Sequence, residues 1–179
     1  MIRNSFLGQF FKKWKEVGAV SPSSVFLVED MLSEIDFSTA LFIVELGAGS
    51  GSFTKYILKM MRPDARLLVF EINDAFNKKL FLIKDSRMTL VNDSAVNLLK
   101  YLNDEKADHV VSGIPLSNLE KEVKMDIISA ARAGLKPGGS FLQFQYLPES
   151  LSFLKKYFPS VRLKFTLLNN PPAFFYICR

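Results

Sequence analysis

The residues best suited to chemistry lie between positions 45 and 93. "VELGAGSGSFT" spaces Glu45, Gly47, Gly49 and Gly51 two apart. Glycines at such spacing let the chain turn sharply and bring bare backbone against a ligand. Glu71 closes the apolar run "ARLLVFEI", and a carboxylate there can accept hydrogen bonds from both hydroxyls of a ribose. Asp93, in "NDS", could accept from an adenine amino group in the same way. Taken alone, Glu71 or Asp93 reads equally well as a solvated strand end or a helix cap. The glycine pattern alone is also common to many nucleotide sites. Their succession is more telling than any one of them.

A further abrupt break comes in "ADHVVSGIPLSNL", residues 107–119. Val110 and Val111 stop at Ser112-Gly113, and Ile114-Pro115-Leu116 leads into a polar turn. A buried strand that ends this way delivers backbone to a crevice. What it meets depends on what stands opposite.

The elements that must position these residues alternate. "ALFIVELG" is a continuous apolar run, as expected of a strand buried on both faces. "GSFTKYILKMM" follows with Phe53, Ile57, Leu58 and Met61 at helical spacing, and Pro63 ends it. Then come a strand "ARLLVFEI", a helix "DAFNKKLFLI", a strand "MTLVND", a helix "SAVNLLKYL" and a strand "ADHVVSG". "LEKEVKMDIISAARAGL" is a long amphipathic helix closed by "KPGG", and "SFLQFQYL" is the fifth strand. A helix "ESLSFLKKYF" and an antiparallel pair, "VRLKFTLLN" and "AFFYICR", complete the chain. This order predicts an α/β fold, a mostly parallel seven-stranded sheet with an antiparallel last strand. Right-handed crossovers bring the C-terminal strand ends to one ligand-binding edge. Residues 1–40 read as N-terminal helices, an interfacial or lid unit, and 41–179 as the catalytic domain.

Composition narrows the class. The chain has 179 residues, 49% hydrophobic and 23% charged, a balance that suits one globular domain and excludes disorder. No apolar run reaches the roughly 18 residues of a membrane span, and the N-terminus does not read as a signal peptide. His109 and Cys178 are single residues of their types, so no metal cluster and no internal disulfide are expected. His109 precedes buried valines without evident partners and reads as structural; Cys178 reads as core. A formal charge of +5 favours anionic partners, nucleic acid or membrane.

On Glu45, Gly47, Gly49, Gly51, Glu71 and Asp93 the chain resembles the class I S-adenosylmethionine-dependent methyltransferases, with their Rossmann-like fold. A dinucleotide oxidoreductase is the alternative on the same architecture, but no substrate domain for one follows. The resemblance implies S-adenosylmethionine as cofactor. Glu45 and the loop Gly47-Ala48-Gly49-Gly51 would lie near its methionine part, Glu71 on its ribose, Ile72 against adenine, and Asp93-Ser94 at the adenine amino group. Ser112 is a further candidate for the cofactor.

"VGAVSPSSVFLVEDML", "SGIPLSNL" and "NNPPAFFYICR" resemble the bacterial phospholipid N-methyltransferases, a branch close to the rRNA adenine dimethylases. The expected activity is methylation of the phosphatidylethanolamine amine at the membrane surface. Adenine enzymes of that branch carry N-[LI]-P-[YF] after the fourth strand. Here those positions are Gly113, Ile114, Pro115 and Leu116, without an amide or a stacking ring. The dimethylases also continue into a helical RNA-gripping domain, whereas this sequence reaches Arg179 with its last strand. An rRNA or other nucleic-acid adenine N6-methyltransferase and a catalytically inactive cofactor-binding adaptor remain the alternatives.

The amine would meet the carbonyls of Ser112, Gly113, Ile114 and Pro115, where desolvation favours its neutral form. No general base stands out. Tyr146, Ser23 and Ser24 are candidates for the headgroup, the proton route or the methionine end, and Tyr146 reads equally as a capped strand end. Asn169 and Pro171-Pro172 shape the turn before the last strand.

Ile2, Phe6, Phe10, Trp14 and Val17 form an apolar stripe, with Arg3, Lys12, Lys13 and Lys15 as basic charges and no acid before Glu16. A basic amphipathic helix with such aromatics suits an anionic membrane surface, with Phe6, Phe10 and Trp14 in the acyl boundary and Lys12 and Lys13 on phosphates. Packing onto the domain, or RNA binding through the same lysines, are its other roles. The expected location is cytoplasmic, peripheral to the inner face of the membrane.

Overall fold

The buried runs become strands of one sheet. In the computed structural model the described residues are 25–167 and 172–179. The segment expected to be an amphipathic helix, with Phe6, Phe10, Lys12, Lys13 and Trp14, the serines Ser23 and Ser24, and residues Asn169 to Pro171 lie outside them.

The strands are β1 (Phe42–Leu46), β2 (Arg66–Phe70), β3 (Met88–Val91), β4 (Ala107–Ser112), β5 (Leu135–Gln145), β6 (Val161–Thr166) and β7 (Ala173–Cys178). Their order is β3-β2-β1-β4-β5-β7-β6. β7 runs antiparallel between β5 and β6, and all other neighbours are parallel. This is the expected sheet, including the reversed last strand. β1 and β4 are central, which explains why "FIVEL" is buried at every position.

Alternate strand residues feed two apolar layers. Ile43, Val69, Val111, Leu142 and Phe175 pack under α1 (Val25–Leu32) and α2 (Ser52–Met60). Val44, Phe70, Val110, Phe141 and Tyr176 pack under the 3-10 helix Ala95–Tyr101 and α4 (Lys121–Gly134). Phe53, Ile57 and Leu58 form the buried face of α2, as their spacing predicts. Full burial of such a side chain contributes about 1.5–3 kcal/mol, so Ile57→Asp would lose that and bury an unpaired charge.

Four local readings need revision. α3 spans Asp74–Leu80 and stops short of "FLI". Of the apolar residues beyond it, Phe81 and Leu82 are 66% and 74% exposed and only Ile83 packs against the core. "SAVNLLKYL" forms a 3-10 helix because Ala95 and Leu98, three apart, are the buried residues. "KPGG" does not close α4. Strand pairing begins at Leu135 and the register jumps from Ala107↔Leu135 to His109↔Ser140, so these residues loop out as a bulge within β5. "ESLSFLKKYF" yields only a short α5, Leu151–Leu154.

His109 does have a partner, since its Nδ1 lies 2.8 Å from Ser140 Oγ. Burial pushes its pKa down, consistent with a neutral structural imidazole. Cys178 is core, and burial pushes its thiol up to about 12. Among the described residues no His/Cys/Asp/Glu group could hold a metal ion. No helix among them is long and apolar enough to cross a membrane.

Candidate active site

The parallel order places the C-terminal ends of β1, β2, β3 and β4 side by side, and the expected residues converge there. Gly47, Gly49, Glu71, Ile72, Asp93, Ser94, Gly113 and Ile114 line one crevice. Beyond Phe70 and Ala95 at the strand ends, its wall is completed by apolar residues: Phe76 from α3, Leu119, and Val123 and Ile127 from α4. These four were not foreseen, because only the fold brings α4 over the strand ends. A larger groove of about 1110 Å³ runs beside β3, lined by residues such as Asp74, Lys78 and Phe81. None of the glycine-loop or β4-loop residues lines it, so size does not locate the site.

The three glycines do different work. Gly47 adopts φ +73°, and a Cβ there would come within 2.7 Å of Ile114 Cγ1. Its own carbonyl in turn lies 3.0 Å from where a Cβ on Gly113 would sit. The loops after β1 and β4 therefore touch, and neither contact has room for a side chain. A Cβ on Gly51 would meet Leu80 Cδ2 at 2.9 Å, so this glycine serves the packing of α3. Gly49, at φ +56°, has nothing within 4 Å of its would-be Cβ. Of the three, it is the one that lines the crevice with open space at its Cβ position.

Glu71 links the end of β2 to this loop. Its Oε2 accepts from the Gly49 amide at 2.7 Å and its Oε1 from the Asn73 amide at 2.8 Å. Each oxygen keeps a second lone pair for a ligand hydroxyl. Burial raises its pKa, against the opposing pull of the Asn73 and Gly49 amides. Asn73 also caps α3, accepting from Ala75 N–H.

Glu45 is 1% exposed, on the face toward α2. Burial pushes its carboxyl up to about 8; Thr54 opposes this and the charge of Glu71 reinforces it. The pull of Thr54 is that of a hydrogen-bond donor, through its side chain and its backbone, although Glu45 Oε2 and Thr54 Oγ1 have no well-aligned partner among the described residues. With its pKa at about 8 the acid is protonated near neutral pH, the form that burial favours.

Asp93 is held by its own helix. Its carboxylate accepts from Ser94 N–H at 2.6 Å, from Asn97 Nδ2 at 2.9 Å and from Tyr101 Oη at 2.8 Å. Burial pushes its pKa up, but Asn97, Tyr101 and Ser94 outweigh it and hold the pKa below the ordinary value. Ser94, not Asp93, is the cap, accepting from Val96 N–H.

Other expected residues stand apart. Ala48 is buried in the layer under α2. Ser112 is fully buried, and its Oγ accepts from Ile114 N–H at 3.3 Å. Pro115 does not line the crevice. Neither does Tyr146, whose ring packs edge-on against Phe144 with centroids 5.0 Å apart.

The carbonyl set of "SGIPL" is also narrower than expected. Ile114 O accepts from Gln143 Nε2 at 2.8 Å, Pro115 O from Asn118 N–H at 3.0 Å, and Leu116 O from Leu119 N–H at 3.3 Å. Gly113 O accepts nothing among the described residues. Gln143 and Gln145, buried behind this loop, were not foreseen either. Their signal was legible: polar residues at alternate positions of the apolar strand "SFLQFQ".

The crevice fits S-adenosylmethionine: an open Gly49 backbone, an acid in Glu71 placed for a ribose, and an apolar slot at Ile72 and Phe76, while Glu45 is buried and does not line it. Comparisons with known proteins point the same way. No protein-family profile matches the chain. An ornithine lipid N-methyltransferase from Singulisphaera acidiphila is 33% identical over 180 residues, 97% of this chain and 94% of that protein. A mitochondrial dimethyladenosine transferase 2 from Drosophila melanogaster is 25% identical over 144 residues, covering 75% of this chain and 30% of that protein. The solved structure of human methyltransferase-like protein 13 in complex with SAH shares the fold, with TM-score 0.65 and 14% identity, over 86% of this chain and 79% of that one.

Proposed function

The chain belongs to the class I S-adenosylmethionine-dependent N-methyltransferases, and from that premise we propose that its acceptor is the amine of a membrane-lipid headgroup. The observation that carries this reading is Gly113. Glycine offers no amide to grip a base, and a Cβ at this position would press on Gly47 O at 3.0 Å. Leu116, where an aromatic ring would stack on a flipped base, is fully buried. A base would lose a stacking partner worth roughly 1–3 kcal/mol. A primary amine needs only the free Gly113 carbonyl to accept one of its N–H groups. The name of the Singulisphaera relative supports a lipid amine, and ornithine lipid joins phosphatidylethanolamine as a substrate class.

When bound, the cofactor supplies an electrophilic methyl group on sulfonium sulfur. The chain contributes Glu71 for the ribose, Ile72 and Phe76 for the adenine faces, Asp93 at the adenine amine, where it would exchange one of its present hydrogen bonds, and Glu45 toward the methionine ammonium. The acceptor amine, with a solution pKa near ~10, must shed a proton, and the apolar wall of Leu119 and Val123 favours its neutral form. Positioning then supplies much of the acceleration. The basic N-terminal segment, expected from its sequence to be helical and carrying Phe10, Trp14, Lys12 and Lys13, would bring the protein to anionic lipid at the inner membrane face.

The test incubates methyl-labelled cofactor separately with vesicles of ornithine lipid, vesicles of phosphatidylethanolamine, and ribosomal RNA. Label in either lipid is expected. Label in RNA alone, the outcome that the dimethyladenosine transferase likeness would favour, overturns the reading.

A further inference from the structure

Gln143 and Gln145 are 0% and 4% exposed on β5, and alternate strand residues share a face. That face looks at the loop after β4, since Gln143 pairs in register with Ser112. Gln143 Nε2 donates to Ile114 O at 2.8 Å and to Phe144 O at 2.6 Å, which uses both hydrogens of its amide. Gln145, with its amide oxygen assigned toward the loop, accepts from Leu116 N–H at 3.1 Å and Ser117 N–H at 3.2 Å. Its nitrogen then donates to Ser150 Oγ at 2.8 Å.

The two amides thus grip the turn on both sides of Pro115, a residue with no N–H of its own to anchor. Gly113 is fixed from the other side, its N–H donating to Leu46 O at 2.9 Å. What remains free between these anchors is the Gly113 carbonyl. The arrangement is expensive as packing. Gln143 Oε1 is buried without a partner among the described residues, and an apolar side chain would avoid that cost.

We propose that Gln143 and Gln145 are positioning residues for methyl transfer, holding the 113–117 loop so that the Gly113 carbonyl faces the acceptor. This rests on the loop being the acceptor side of the crevice, as proposed above. Neither glutamine touches the reacting atoms. Their effect passes through the loop backbone.

Gln143→Met and Gln145→Met remove the amides at nearly constant size. The experiment measures kcat, KM for acceptor vesicles, cofactor Kd by titration calorimetry, and melting temperature. In each variant kcat is expected to fall about 10- to 100-fold with cofactor Kd within about twofold of the parent, because a small misplacement of the acceptor costs rate and not donor binding. Unchanged kcat, or a loss that only tracks weakened cofactor binding or the unfolded fraction, overturns the proposal. Should a Met variant fail to fold, Ser150→Ala frees the Gln145 amide without altering β5. It is expected to lower kcat about threefold or more, and an unchanged kcat overturns the role of Gln145. The rates are read on whichever acceptor the parent methylates. Turnover on RNA alone would therefore sink the lipid reading while these variants still decide the positioning role. No turnover on any acceptor by the parent overturns both.

Discussion

The Gly49 amide donates to Glu71 Oε2 across 2.7 Å, fastening the loop after β1 to the end of β2. The same carboxylate takes the Asn73 amide on its other oxygen. The glycine loop is therefore held in its ligand-ready shape by the acid proposed to bind the ribose. Glu71→Ala should lower folding stability by about 1–3 kcal/mol, the cost of leaving buried donors unpaired. It should also weaken cofactor binding about tenfold or more. Denaturant melts and titration calorimetry on the same sample check both, and a loss of stability with unaltered affinity would remove Glu71 from the cofactor site.

Gly47 and Gly49 should respond differently to the same substitution. Gly47→Ala places a Cβ 2.7 Å from Ile114 Cγ1, so the two loops must part, and both stability and activity should drop. Gly49→Ala meets nothing within 4 Å. Its cost to the fold should be about 1–2 kcal/mol, from the left-handed backbone alone. Its Cβ would still project toward the ligand, so cofactor Kd should rise more than the melting temperature falls. Equal effects of the two substitutions on cofactor affinity and on stability would contradict this division of labour.

Glu45 should give the chain a pH slope. Its carboxyl sits at about 8 in the fold against an ordinary 4.5. Below the lower value the acid is protonated in both states and costs nothing. As pH rises beyond it, the unfolded chain releases the proton while the folded one keeps it, so stability declines until about 8 and then levels. At roughly 1.4 kcal/mol per unit of pKa difference, the loss is on the order of a few kcal/mol. Glu45→Gln should match the parent at about pH 4 and exceed it at about pH 8 in denaturant melts. If Glu45 meets the methionine ammonium, parental cofactor affinity should rise over the same interval with proton release, and the Gln variant should be flat.

The basic N-terminal stripe should govern lipid contact. Phe10→Glu and Trp14→Glu are expected to abolish co-sedimentation with anionic vesicles. Lys12→Ala and Lys13→Ala should each weaken it by about 1 kcal/mol, roughly fivefold. Binding that withstands all four would leave this segment a purely intramolecular role.

The strands and α2 were legible because burial writes itself into local order. "FIVEL" has no exposed face to interrupt it, and Phe53, Ile57 and Leu58 repeat with the helical turn. The "KPGG" bulge was not legible, since glycine and proline punctuate a loop and a bulge alike, and only pairing with β4 distinguishes them. Phe81 and Leu82 extended an apolar pattern that the core does not use. At the site, residue types named Glu71, Asp93 and the glycines. Which glycine opens onto the crevice depended on Ile114 and Leu80, distant in sequence. The Ile114 carbonyl lost its expected freedom to Gln143, a neighbour 29 residues away.

The reversed strand has a wider meaning. Because β7 slots in between β5 and β6 against their direction, Thr166 and Ala173 stand opposite one another, close to where Gln145 ends β5. The connection between them thus departs from the rim where β4 hands over its own loop, on the far side of the sheet from β2 and β3. The strands on that side, β5 to β7, can therefore diverge while the hydrogen bond that ties Gly49 to Glu71, at the ends of β1 and β2, keeps both its partners.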